Sequence, residues 1–195
     1  MKAPILKAAQ QLREDLEAFA LYWGMAHGAD ITIERLENGK MSLMGACAIA
    51  SWVLWRALRR TGHDAEIVIG WYRMLTKEDV EFKLYPMMCN HCWVTVDGQL
   101  IDLTATQFGV PHEVYVTDPG QDENYCVLNL FGLYSEASYD IRKYMASTHA
   151  AAEKELRNWD SQSPLKDRYR LDLQVMEDKV VEILEGREPE LRRAA

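Results

Sequence analysis

The stretch MGACAIASWVLWRAL, residues 44–58, predicts the element around which the rest of the chain folds. Its small and apolar residues indicate a helix, and a helix that is apolar on nearly every side is buried. We predict that this helix runs from about Leu43 to Arg60, with Gly62 as a left-handed C-cap. Cys47 then falls in the first turn, where backbone N–H groups have no helical partner and the helix dipole is positive. This position favours the thiolate, the nucleophilic form of cysteine.

A buried core cysteine is the plain alternative for Cys47, because unpaired cysteines are among the most buried residues in proteins. A catalytic thiol also needs a base and an orienting acid. The assignment of Cys47 therefore depends on what the rest of the chain supplies.

Composition excludes several classes of protein. The 195 residues are 48% hydrophobic and 27% charged, which is typical of a globular chain with a real core. The net charge of −8 argues against a nucleic-acid binder. The apolar run over residues 45–55 is too short to span a membrane, and the charges within residues 1–20 leave no uninterrupted apolar centre, as a signal peptide would need. Without a secretory signal, the four cysteines are expected to be reduced, so we predict a cytoplasmic protein.

Periodic patterns on either side of the central helix predict an α+β fold with a central antiparallel sheet of four or five strands. The buried helix packs against this sheet, and helices from both ends of the chain surround it. We predict helices at residues 4–23 and from Tyr139 to Gly186, and strands at 65–72, 91–96, 99–103, 113–117 and 125–131.

The chain is predicted to form a single domain over residues 1–195. Within it we distinguish three parts, namely an N-terminal helical segment at 1–40, a catalytic-like core at 41–135 and a C-terminal helical extension at 136–195.

The clearest hairpin in the sequence has Asp97-Gly98 as its turn, a pair suited to a two-residue primed turn. Such a turn places His91 and Asp102 diagonally on one face of the sheet, within reach of each other. The same alternation sends Cys92 to the other face, away from His91, and makes it a poor candidate nucleophile. A three-residue loop would put His91 and Asp102 on opposite faces, so the prediction depends on the turn.

A cysteine at a helix start, a histidine on one strand and an acid on the next form the set that thiol acyl transfer requires. The histidine takes the thiol proton and later protonates the leaving group. The acid holds the imidazole in its working tautomer and stabilises it when it is charged.

Three motifs carry a resemblance to a known family: GAC opening an apolar helix, HCWV at residues 91–94, and LIDLT at residues 100–104. Over about residues 42–108 the chain resembles the transglutaminase-like branch of the papain-like cysteine enzymes. The resemblance implies a papain-like core, with Cys47 as nucleophile, His91 as general base and Asp102 as orienting acid. It also implies a protein or peptide substrate.

The oxyanion-stabilising groups are less defined. Papain proper often has a glutamine several residues before the cysteine, whereas residues 39–44 contain none. We therefore expect the Cys47 backbone N–H and one further donor, either Asn38 or Trp93, to contact the substrate oxygen.

The predicted function is a cysteine-dependent hydrolase or acyl transferase that acts on an amide bond through a thioester at Cys47, as a peptidase, amidase or glutamine deamidase. Two alternatives stay open: transglutaminase-type transfer to an amine, and a non-catalytic binding module that retains the fold. Zinc binding by Cys89, His91 and Cys92 is disfavoured, because a structural zinc site takes four ligands and the sequence has no second pair. We expect no metal, no cofactor, and no nucleic-acid or membrane partner.

Overall fold

The fold is that of a mixed α+β protein. A computed structural model describes residues 2–27, 32–35, 41–44, 46–74, 87–127, 154 and 167–189. Asn38, most of the predicted helical region that begins at Tyr139, and residues 128–131 of the last predicted strand lie outside these ranges.

The described elements follow one another along the chain as α1 (Ala3–His27), β1 (Thr32–Arg35), β2 (Met41–Met44), α2 (Cys47–Arg60), β3 (Ala65–Met74), β4 (Met87–Val96), β5 (Gln99–Asp102), a 3-10 helix (Ala105–Phe108), β6 (Tyr115–Thr117), β7 (Tyr125–Val127) and α3 (Asp167–Leu184).

The predicted antiparallel sheet is confirmed. Its strand order is β6-β5-β4-β3-β7, and every neighbouring pair is antiparallel. The longest ladder joins β3 to β4 over the full length of both strands. β1 and β2 form a separate two-stranded sheet.

The hairpin between β4 and β5 has the predicted register, with Val96 opposite Gln99 and Val94 opposite Ile101. Asp97 has φ 52° and Gly98 has φ 77°, and positive φ at both central residues is what a type I′ turn requires. Because register follows from the turn, this turn decides which side chains of β4 and β5 share a face.

Helix α2 begins later than predicted, at Cys47 rather than at about Leu43. Residues 41–44 pair with β1, as in Leu43 opposite Ile33, so their backbone is extended. Cys47 is therefore the first residue of the helix. At the other end Gly62 has φ 81°, and the N–H of His63 donates to Leu58 O at 2.9 Å, which confirms the left-handed C-cap.

The main core lies between one face of the sheet and a layer of three helices. Helix α2 packs on β3 and β4, while α1 and α3 pack on α2 and on each other. On the sheet side, alternate residues point into this core, as Val94 and Val96 do on β4. The helices contribute apolar stripes that are buried, including Ile5, Ala8, Leu12 and Leu16 of α1 and Leu173, Met176 and Val180 of α3.

A buried carboxylate joins α2 to α3. Glu177 is inaccessible to solvent and accepts hydrogen bonds from Arg56 Nε at 3.0 Å and Arg60 Nη1 at 2.7 Å. Arg56 also stacks over the Trp52 ring, with its guanidinium carbon 4.8 Å from the ring centroid. Within the described residues, no helix is long and apolar enough to cross a membrane.

We predict that Glu177→Ala lowers the free energy of unfolding by about 2 kcal/mol, because Arg56 and Arg60 lose the buried carboxylate that binds both of them. The partial exposure of both arginines keeps this figure below that of a fully buried pair. Asp178→Ala is the matched control, since Asp178 contacts the same Arg60 from the surface at 2.8 Å. It should cost about 0.5 kcal/mol or less in urea denaturation. Equal losses for the two variants would contradict the structural role of Glu177.

Candidate active site

His91 and Asp102 lie together on the face of the sheet opposite to α2. The Nε2 atom of His91 is 2.6 Å from Oδ2 of Asp102, and both side chains are buried. The hairpin prediction that these residues are neighbours on one face is therefore confirmed. A contact this short between an imidazole and a carboxylate is typical of a charge-assisted hydrogen bond.

The Asp102 carboxylate is fully provided with hydrogen-bond donors. The backbone N–H and the hydroxyl of Thr104 donate to Oδ1 at 2.7 and 3.0 Å. The hydroxyl of Tyr125 donates to Oδ2 at 2.8 Å, beside His91. Burial raises the pKa of Asp102, but the charge of His91 and these hydrogen bonds lower it more, and the net shift is downward. Asp102 is therefore a buried anion.

Aromatic rings enclose the imidazole. Phe108 meets His91 edge to face, with ring centroids 4.8 Å apart, and it stacks on Tyr72 at 4.0 Å. Trp93 packs at 6.0 Å from His91 and contacts Tyr125 edge to face at 5.2 Å. His91 has no exposed surface, so its ring is held in one orientation and shielded from water.

Cys47 is a free, partly exposed thiol at the N-terminus of α2. Its pKa lies well below the ordinary 9.0. A hydrogen bond with the Cys92 side chain is the largest cause, burial opposes it, and the hydrogen bond and charge of His91 and the Cys92 backbone N–H lower the pKa further. The thiolate that the helix start predicts is thus also favoured by two residues of β4, Cys92 and His91.

The imidazole of His91 has one nitrogen left for the thiol. Nε2 is engaged by Asp102, whereas Nδ1 is buried and lacks a hydrogen bond of normal geometry within the described residues. Burial lowers the pKa of His91, but Asp102, and after it Cys47, raise it to about 10. The pKa of Cys47 is lowered and the pKa of His91 is raised, and together these shifts favour a thiolate–imidazolium pair at neutral pH.

Cys92 lies closer to the site than predicted. The alternation along β4 holds, since Trp93 packs in the aromatic cluster with Tyr125 while Val94 packs in the core beneath α2. Nevertheless the side chain and the backbone N–H of Cys92 both lower the pKa of Cys47. His91 and Cys92 point to opposite faces of β4, but both of them act on the pKa of Cys47.

Sequence reasoning missed the Tyr125 hydroxyl, because β7 joins the sheet beside β3 and no local pattern reveals that pairing. It placed Trp93 correctly next to His91, although the ring packs against His91 and Tyr125 and its role as an oxyanion donor is still a prediction. The other predicted donor, Asn38, lies outside the described residues. In the part of the chain that is described, no three His, Cys, Asp or Glu side chains are arranged to hold a metal.

Comparisons of the chain with models of protein families, with curated protein sequences and with solved structures found no match.

We predict that iodoacetamide at about pH 6 alkylates Cys47 in the native protein much faster than it alkylates Cys92 or Cys126, because Cys47 is partly exposed and its lowered pKa favours the reactive thiolate, whereas Cys92 is buried. His91→Ala should abolish this preference, since it removes a cation and a hydrogen-bond donor from the sulfur. His63→Ala is the matched control, because His63 lies near Asp97 at the hairpin turn and should not affect labelling. Peptide mapping by mass spectrometry gives the rate at each cysteine. Equal rates at the three cysteines would refute the thiolate assignment.

The ion pair also predicts how stability depends on pH. Between about pH 7 and 9 the native pair is thiolate and imidazolium, whereas the unfolded chain has a thiol and a neutral imidazole, whose ordinary pKa values are 9.0 and 6.5. Both states hold the same number of protons, so this pair adds no slope to the wild-type stability curve.

In Cys47→Ala the imidazolium held by Asp102 remains, so the native state binds one proton more than the unfolded state. The free energy of unfolding of the variant should therefore fall relative to wild type as the pH rises from about 7 to 9, by at most about 1.4 kcal/mol per pH unit. Urea denaturation at several pH values measures the difference. Parallel curves would mean that His91 is neutral in the folded Cys47→Ala variant, so that Asp102 alone does not hold the imidazolium.

Proposed function

We propose that the protein is a cysteine-dependent hydrolase or acyl transferase that acts on an amide bond through a thioester at Cys47. The observation that carries this proposal is the arrangement of His91. Its Nε2 is bound to Asp102 at 2.6 Å, which leaves Nδ1 as the nitrogen available to the thiol at the start of α2. The pKa of Cys47 is lowered by His91, and His91 is bound to Asp102, which is the order of nucleophile, base and orienting acid that thiol acyl transfer uses.

The reaction follows from the charges of this pair. The Cys47 thiolate attacks the amide carbonyl and forms a tetrahedral intermediate with a negative oxygen. His91 donates its Nδ1 proton to the departing amine as the C–N bond breaks, and the acyl group remains on sulfur as a thioester. Water or a second amine then attacks the thioester, His91 accepts the proton of that nucleophile, and the thiolate is restored.

Two features of the site suit it to this cycle. Asp102 is saturated with hydrogen bonds and stabilises the imidazolium without accepting its proton. The aromatic enclosure keeps water away from the imidazole, which strengthens its interaction with both charged partners. The Cys47 backbone N–H, at the first position of a helix, is a donor for the oxyanion.

The papain-like core implied by the sequence motifs belongs to the same proposal. Its support is the packing of a cysteine-bearing helix on an antiparallel sheet, with histidine and aspartate on adjacent strands and the chain order Cys47, His91, Asp102. Water is the more abundant acceptor, so we favour hydrolysis of a protein or peptide substrate over transfer to an amine. A binding module without activity would have no need of a cysteine whose pKa is lowered by both Cys92 and His91.

A direct test is acylation by p-nitrophenyl acetate. We expect wild-type protein to release a burst of nitrophenol and to gain one acetyl group, mapped to Cys47 and removed by hydroxylamine as a thioester is. Cys47→Ala should lose both signals, whereas Cys92→Ala should still be acetylated at Cys47, but more slowly, because the Cys92 side chain lowers the pKa of Cys47. Acetylation of another residue, or an unchanged burst in Cys47→Ala, would contradict the proposal.

The group that accepts the acyl group from Cys47 is determined by incubation with glutamine-containing peptides, with and without a primary amine. Mass spectrometry distinguishes a cleaved peptide bond, conversion of the glutamine amide to an acid, and incorporation of the amine. If Cys47 is acylated by the ester but none of the three products forms from a broad peptide set, the amide-bond assignment is wrong.

We further predict that Asp102→Asn reduces acylation of Cys47 by about 10²–10⁴-fold, because a neutral amide neither fixes the working tautomer nor stabilises the imidazolium. Asp122→Asn is the matched control. Asp122 accepts a hydrogen bond from Tyr115 at 2.8 Å on the neighbouring part of the sheet, outside the site. The single-turnover burst rate measures the effect, and a loss of equal size in both variants would indicate a structural rather than a chemical role for Asp102.

A further inference from the structure

The hydroxyl of Tyr125 is bound to the same carboxylate oxygen as the imidazole of His91. Oδ2 of Asp102 lies 2.6 Å from Nε2 of His91 and 2.8 Å from the Tyr125 hydroxyl. The other oxygen, Oδ1, accepts the N–H and the hydroxyl of Thr104. Among the described residues, Tyr125 is therefore the donor that shares an oxygen with His91.

Tyr125 reaches this oxygen across the face of the sheet. Its strand, β7, lies at the edge beside β3, and the strands β3 and β4 separate it from β5. Tyr125 is opposite Tyr72, and its ring centroid lies 6.2 Å from that of His91. The hydroxyl thus connects the edge strand to the aspartate of β5.

The Tyr125 ring is held on three sides. It meets Tyr72 and Trp93 edge to face at centroid distances of 5.0 and 5.2 Å, and it stacks on Tyr115 at 5.7 Å. The backbone is fixed as well, because the Tyr125 N–H donates to the carbonyl of Asp122 at 3.1 Å. The side chain is buried, and a ring packed this closely keeps its hydroxyl on the carboxylate.

This hydroxyl is a permanent donor. Burial raises the pKa of Tyr125, and the charge of Asp102 raises it further. An ionised carboxylate has no proton to give, so the hydrogen bond runs from Tyr125 to Asp102.

Other titratable or charged groups approach the pair from the elements packed around it. They are Cys47 of α2, Tyr72 of β3, Tyr115 of β6, Asp122 before β7 and Arg13 of α1. Arg13 is bound to Glu17 and to the carbonyl of Leu103, directly after Asp102. A substitution that removes only the Tyr125 hydroxyl leaves all of these groups in place.

We propose that Tyr125 is a positioning residue that moderates how tightly His91 holds its proton. By donating to Oδ2, the hydroxyl takes up part of the negative charge that faces Nε2. The consequence for catalysis rests on the function proposed above, whereas the effect on His91 is measurable without any turnover.

The physical reason is that two donors share one anionic oxygen. A hydrogen bond to a carboxylate stabilises the ionised form and lowers its affinity for a further proton. The positive end of the hydroxyl also lies beside the imidazole and opposes a positive charge there. Without this hydroxyl, His91 and Asp102 together should bind their shared proton more tightly, whichever of the two carries it.

A moderated imidazolium suits the proposed reaction. Burial lowers the pKa of His91 and Asp102 raises it, and the result is about 10. A general acid is most effective when its pKa lies near the working pH, so a further rise would slow the delivery of the proton to the departing group. Tyr125 therefore acts on the reaction through Asp102 and His91, without contacting the substrate.

The experiment is an NMR titration of the His91 ring in full-length Cys47→Ala protein, with and without Tyr125→Phe. The alanine removes the thiolate, so the titration midpoint reports on Asp102 and Tyr125. We expect Tyr125→Phe to raise the His91 midpoint by about 0.5–1 pH unit. Phenylalanine keeps the ring in the aromatic cluster and removes only the hydroxyl.

Tyr115→Phe is the matched control. Its ring also stacks in the cluster, but its hydroxyl is bound to Asp122 at 2.8 Å, so the His91 midpoint should not change. Incorporation of 3-fluorotyrosine at position 125, whose hydroxyl is a stronger donor, should lower the midpoint, and it decides the matter if Tyr125→Phe does not fold. An unchanged midpoint in folded Tyr125→Phe or in the fluorinated protein, or an equal rise in Tyr115→Phe, would overturn the proposal.

Two aryl esters test the consequence for catalysis in protein that retains Cys47. The leaving group of p-nitrophenyl acetate departs without a proton, whereas that of p-methoxyphenyl acetate gains more from protonation. Tyr125→Phe should slow acetylation of Cys47 by the methoxy ester about threefold and leave the rate with the nitro ester nearly unchanged. Equal losses with both esters would contradict an effect through the His91 proton.

Failure of the proposed function is a separate outcome. If neither ester acylates Cys47 while the His91 midpoint rises as expected, the enzyme is refuted and Tyr125 still moderates the His91 proton. If Cys47 is acylated but the midpoint does not move, the function is retained and the role of Tyr125 is refuted.

Discussion

The interaction on which the rest of the structure depends is the buried bond between Asp102 and His91. A carboxylate removed from water must be compensated, and here four donors converge on it from β4, from the following turn and from β7. The Asp102 carboxylate therefore orients the imidazole and bends the chain after β5 through Thr104. It also anchors β7, at the edge of the sheet, through Tyr125. One buried charge thus binds parts of the protein that are distant in sequence, so the site and the fold depend on each other.

Much of this arrangement could be predicted from local sequence. Asp97-Gly98 prescribes a type I′ turn, the turn determines the register, and the register places His91 and Asp102 on one face. Each step uses residues within about a dozen positions of one another, so sequence patterns contain the information. The buried character of α2 could be predicted for the same reason, since its apolar residues are consecutive.

What could not be predicted depends on partners that are far apart in the chain. The start of α2 is displaced because residues 41–44 pair with β1, a choice that propensity alone does not reveal. Tyr125 reaches Asp102 only because β7 lies beside β3, and Arg13 reaches Leu103 from a helix some ninety positions earlier. A buried arginine in an amphipathic pattern looks like part of a solvated face. The motif region over residues 42–108 therefore lacks two side chains, from α1 and β7, that contact the Asp102 carboxylate or the segment after it.

The aromatic enclosure of His91 has a consequence for the path of the proton. With Nε2 bound to Asp102 and aromatic rings packed around it, the imidazole is fully buried and is held in one orientation. Whatever proton it carries must arrive and leave through Nδ1, on the side of Cys47. In the proposed cycle the proton that His91 delivers to the departing amine and the proton that it accepts from the attacking water or amine both pass through this nitrogen. Each turnover thus replaces the proton of the imidazolium through one side of the ring, so the two proton transfers must occur in sequence.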